Sequence, residues 1–95
     1  MVKTQTIEGL IDGTFRFHYD VEADVLYLRR LSHEQRETYA DVTDEGDLLL
    51  RDLETEEPAG LTIISWWKRF GTGPLPDSIS ELQRQVEPLV LRVAA

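Results

Sequence analysis

Apolar and polar positions alternate through much of this chain with the two-residue rhythm of half-buried strands. Phe15, Phe17 and Tyr19 alternate with Arg16 and His18, which predicts a strand over Thr14 to Tyr19. Asp12-Gly13 just before it is a tight-turn signal, so Thr6, Ile7, Leu10 and Ile11 can form the other arm of a hairpin. A short polar turn over Asp20 to Ala23 leads to a strand over Val25 to Arg29. Leu31 to Gln35 reads as a loop, and Thr38, Tyr39 and Val42 carry strand character. The turn Asp44-Glu45-Gly46-Asp47 precedes an apolar strand, Leu48 to Leu53. After the acidic turn Glu54 to Pro58, Gly60 to Trp66 is the last strand the pattern predicts. Short turns between successive strands favour antiparallel neighbours.

After Phe70 the rhythm changes. Phe70-Gly71-Thr72-Gly73-Pro74-Leu75-Pro76 reads as a loop. Ser78-Ile79-Ser80-Glu81 is a capping box, and Ile79, Leu82, Val86, Leu89 and Val93 form a stripe near helical spacing. Pro88 must end or kink that helix near Glu87. The expected fold is therefore α+β: an antiparallel β-meander of four or five strands with one C-terminal helix packed on one face. One domain of 95 residues is expected, strand-rich over 4–67, a connector over 68–76 and helical over 77–93.

Charge changes the picture more than composition does. The hydrophobic fraction, 41%, suits a globular domain. The net charge of −8 is local: ten acids between Glu34 and Glu57 face two arginines, and elsewhere the signs balance. Nucleic acid binding rests on basic groups meeting phosphates, so no direct nucleic-acid role is expected. The acidic stretch suits a basic protein partner, a cation or solubility alone. Cysteine is absent, which fits a reducing cytoplasm and rules out disulfides and thiolate metal sites. Met1 to Leu10 does not read as a signal peptide, and no apolar run approaches the roughly 18 residues of a membrane span. A cytoplasmic protein is the expectation.

The run Phe17-His18-Tyr19-Asp20-Val21-Glu22-Ala23-Asp24-Val25-Leu26-Tyr27-Leu28 resembles the opening motif of a small prokaryotic family, domain of unknown function 2283. Leu48 to Leu53 and Gly60-Leu61-Thr62-Ile63-Ile64 resemble its later strands, so the likeness spans roughly residues 14–70. Thr62 stands where that family usually has glutamate, and Glu56-Glu57-Pro58 replaces its usual glycine turn. The resemblance implies a fold and no assigned activity.

Several residues invite a chemical reading. Asp20, Glu22 and Asp24 alternate through a turn, a spacing that can hold a divalent cation, with Tyr19 and Tyr27 nearby. The further ligands and glycine of an EF-hand loop are missing, so the simpler reading has Asp20 cap the turn and Asp24 start the next strand. His18 and His33 are the two histidines, and neither lies in a serine–histidine–acid spacing. No phosphate-binding glycine loop is present, and no cofactor or metal is expected. Trp66-Trp67-Lys68-Arg69-Phe70 is a candidate interface: neighbouring strand residues point to opposite faces, which would leave one indole exposed between cations. Alternatively, Trp67 folds back under the helix. The expected function is a non-catalytic interaction module, most simply a homodimer. The alternatives are an enzyme using Asp20, Glu22, Asp24 and His18, or an acidic antitoxin-like partner of a basic protein.

Overall fold

The computed structural model describes residues 6–76 and 78–94. Residues 4, 5 and 77 of the expected strand-rich and helical regions lie outside the described residues. The strands are β1 (Thr6–Ile11), β2 (Phe15–Asp20), β3 (Val25–Arg30), β4 (Thr38–Val42), β5 (Leu48–Asp52) and β6 (Pro58–Ile64). They form one antiparallel sheet in the order β1-β2-β3-β6-β5-β4.

The class is α+β, as expected, but the described residues form six strands rather than four or five, and these do not form one continuous meander. β1 to β3 form one meander and β4 to β6 another. The connection after β3, a 3-10 turn at Leu31–His33 and the residues up to Glu37, carries the chain to the far edge of the sheet. β4, β5 and β6 then step back inward until β6 pairs with β3. Two strands are faint in the sequence for physical reasons. β4 is almost wholly exposed, so no apolar alternation marks it. β1 has Gly9 at an inward position, where an added Cβ would stand 2.5 Å from the Phe17 ring.

The β1–β2 turn uses the left-handed conformations of Asp12 and Gly13, φ 51° and 64°. Alternation then sends Phe15, Phe17 and Tyr19 of β2, Leu26 and Leu28 of β3 and Leu61 and Ile63 of β6 into the core. Cross-strand pairing lines up Phe17 with Leu28 and Leu28 with Leu61. The helical part comprises α1 (Trp66–Phe70), α2 (Ile79–Val86) and α3 (Val90–Ala94). Leu82, Val86 and Val93 seat the C-terminal helices on the same face of the sheet. Each such fully buried side chain contributes about 1.5–3 kcal/mol through burial. The Ser78 hydroxyl caps α2 by accepting from Glu81 N at 3.1 Å. Pro88 lies in the 3-10 turn between α2 and α3, where it breaks the helix. Arg30 Nη2 donates to Val93 O at 2.7 Å and ties α3 to β3.

Candidate functional site

The acidic turn after β2 is a structural joint. Asp20 Oδ1 accepts from Ala23 N at 3.1 Å and closes the turn. Asp24, with φ 56°, directs its carboxylate toward the protein. Its Oδ1 accepts from Tyr19 Oη at 2.6 Å and from Trp67 N at 2.9 Å, and its Oδ2 accepts from Lys68 N at 3.1 Å. Asp24 therefore caps the start of α1 from a distant part of the chain. Burial alone would raise its pKa, but these bonds and the Lys68 charge outweigh burial and hold it below the usual carboxylate value. Burial, the bond to Asp24 and the nearby Asp24 and Asp20 charges push the Tyr19 hydroxyl well above its ordinary value. Glu22 is exposed, and Tyr27 points to the opposite face of the sheet from Tyr19. The five residues thus do not converge. Among the described residues, no cluster of three or more His, Cys, Asp or Glu side chains is placed to hold a metal.

The Trp66–Phe70 segment is the short helix α1 and not the end of a strand. Ser65 at φ 56° turns the chain out of β6, which brings both indoles inward. Trp66 is buried against Tyr19, and Trp67 packs beside it with ring centroids 5.5 Å apart. Trp67 Nε1 donates to Gly73 O at 2.9 Å. Arg69 Nη1 donates at 2.7 Å to Asp47, which is fully buried and also accepts from Arg92 at 3.2 Å. Lys68 and Phe70 are exposed. Most of this segment therefore ties α1 to the core and to the β4–β5 turn.

Among the described residues, no helix packs on the other face of the sheet. Register places Glu8, His18, Tyr27, Thr62, Leu48 and Val42 in one cross-strand row of this bare face. The next row holds Leu10, Arg16, Arg29, Gly60, Leu50 and Ala40. Leu10, Val42 and Ile64 are 53%, 68% and 50% exposed, while Tyr27, Leu48 and Leu50 are half-buried. At the heart of the face Arg29 lies over Gly60, with Cζ 5.6 Å from the Tyr27 ring. Its Nη1 donates to Leu28 O at 3.1 Å and to Thr62 Oγ1 at 3.4 Å. Arg16 sits directly opposite on β2, with Nε 3.4 Å from Glu34.

Comparison with protein-family models, with curated proteins and with solved structures finds no match.

Two grooves share Arg16 and Arg29. One, of about 360 Å³, runs between Arg29, Leu50 and the loop from His33 to Arg36. The other, of about 410 Å³, is bordered by Glu8, His18, Asp20 and Tyr27. Beside the first groove the buried Asp52 accepts from Glu54 N at 2.8 Å and Thr55 N at 3.1 Å and forms an ion pair with Arg36. No pattern in the sequence singles out Arg16 and Arg29. Alternation places each outward, but only the β2–β3 register brings them together. Among the described residues, no helix is long and apolar enough to cross a membrane.

Proposed function

We propose that this protein is a non-catalytic interaction module that pairs with a second copy of itself through the bare face of its sheet. The observation that carries the reading is the charge balance of that face. The chain as a whole carries −8, yet the two central rows and their flanks present Arg16 and Arg29 against Glu8 and Asp20, and the loop along the groove adds Arg36 against Glu34. The surplus negative charge lies elsewhere, so two bare faces can meet without net repulsion. A twofold contact can also set the arginines of one copy against the acids of the other. Leu10, Val42 and Ile64 add apolar surface that gains from being covered.

Domain of unknown function 2283 remains part of this proposal. The residues that carry the likeness, Tyr19, Asp20 and Asp24, join β2, its turn and α1 through hydrogen bonds. That supports a family defined by a fold. The basic-partner reading has less behind it, because Asp47 and Asp52 of the acidic stretch are buried and paired with arginines. Light scattering over a range of concentrations tests self-association. A species of twice 10.9 kDa is the expected result, and a mass of 10.9 kDa at every concentration would overturn it.

A further inference from the structure

Arg29 makes no ion pair with a carboxylate among the described residues, although it is half-buried in an acidic protein. Its guanidinium is nonetheless held in one pose. Nη1 is tied to Leu28 O and Thr62 Oγ1, Tyr27 flanks it, and the missing side chain of Gly60 gives it room. A Cβ at Gly60 would stand 3.0 Å from Arg29 Cδ and 3.1 Å from Nη1. This anchoring leaves Nε and Nη2, the two donors of one edge of the fork, with no protein partner among the described residues. Two parallel donors on one edge match the spacing of two oxygens of a carboxylate or phosphate. Arg16 directly across adds a second positive charge, and like charges facing each other across strands cost stability. Glu34 meets Arg16 and only partly relieves that repulsion.

We infer that Arg29, with Arg16, is a receptor for an oxyanion: the carboxylate or phosphate group of a ligand lying in the grooves of the bare face. Arg29 takes two oxygens through Nε and Nη2, Arg16 supplies the second charge, and Glu34 competes with the ligand for Arg16. The receptor is complete within one chain but shares Arg16 and Arg29 with the face proposed for self-pairing, so a bound anion and a second copy compete for it. Binding is therefore measured at concentrations where the single chain predominates, and a failure to bind there is distinct from a failure to pair.

Isothermal titration of the full chain with inorganic phosphate and with succinate, at low ionic strength, tests the inference. One anion should bind per chain. Arg29→Gln should weaken binding by about tenfold or more, because a charge-assisted bidentate contact is lost. Arg29→Lys, which keeps the charge and loses the fork, should also weaken it. Glu34→Gln should strengthen it. Arg16→Gln, at a half-exposed side chain, guards against a loss that reflects misfolding and should weaken binding as well. Binding of phosphate alone identifies a phosphate ligand, and binding of succinate identifies a carboxylate ligand; either supports the receptor. No binding of either anion to the wild type and Glu34→Gln, or binding that Arg29→Gln leaves unchanged, would overturn it.

Discussion

Tyr19 donates its hydroxyl to Asp24 at 2.6 Å, and through that carboxylate the second strand holds the start of the helix that follows the sixth. Tyr19→Phe removes a single donor from this joint. The expected loss is about 1 kcal/mol of stability, the usual worth of one internal hydrogen bond. Asp24→Ala removes the shared acceptor and should cost more, because the amides of Trp67 and Lys68 lose their partner too. Urea unfolding of the two single variants and the double variant checks this. The double variant should be scarcely less stable than Asp24→Ala alone.

Acid should loosen the same joint. Asp24 and Asp52 both have pKa values below the usual 3.8 in the folded protein. For each, burial acts in the opposite direction and is outweighed. At Asp52 the bonds from Thr55 N and Glu54 N and the Arg36 guanidinium outweigh it. A lowered folded value means that the charged form is favoured by folding. This stability is fully present above 3.8 and disappears as pH falls through the lowered values. The urea midpoint should thus hold steady down to about pH 5 and fall below about pH 4. Asp24→Asn should make that fall shallower. An equally steep fall in the variant would contradict this account of Asp24.

Asp47 is the other fixed point. Its carboxylate is fully buried and accepts from Arg69 and Arg92, so it joins the β4–β5 turn to α1 and α3. Asp47→Ala leaves two arginines facing a cavity and should cost about 2 kcal/mol or more. Arg92→Gln keeps the Arg69 bond and should cost less. Thermal unfolding followed by circular dichroism distinguishes the two.

Much of the fold was legible because strands buried on one face announce themselves by alternation. β2, β3, β5 and β6 fall where Phe15, Phe17, Leu26, Leu28, Leu48 and Leu61 place them, and the Ser78 cap and the Pro88 break sit where local rules put them. β4 was faint because an exposed edge strand needs no apolar rhythm. The order β3-β6-β5-β4 was not legible, because pairing depends on a crossover whose path no local pattern encodes. The alternation predicts a strand running to Trp66 because nothing in the sequence marks the positive φ of Ser65. For the candidate site, the turn spacing draws attention to Tyr19 and Asp24 as candidate binding residues beside a structural reading, and the structure shows them hydrogen-bonded to each other with Asp24 capping α1. Arg16 and Arg29, which meet only through register, went unnoticed.

Gly60 makes that register visible in experiment. An added Cβ would lie 2.5 Å from Leu28 O, a backbone atom held in the sheet, as well as against Arg29. Gly60→Ala should destabilise the protein by about 1–3 kcal/mol through overpacking. In the fraction that remains folded it should also displace the Arg29 side chain. A variant as stable as the wild type would mean that Arg29 does not lie over Gly60.

Matched substitutions followed by sedimentation equilibrium decide whether the bare face of the sheet is the pairing surface. Val42→Asp and Ile64→Asp place charge on the bare face at positions already half-exposed or more, whereas Leu91→Asp places it on the helical side at a residue 75% exposed. Pairing through the bare face gives a dimer for the wild type and for Leu91→Asp, and a mass near 10.9 kDa for each bare-face variant. Dimers that survive both bare-face substitutions, or that dissociate on Leu91→Asp, would contradict it.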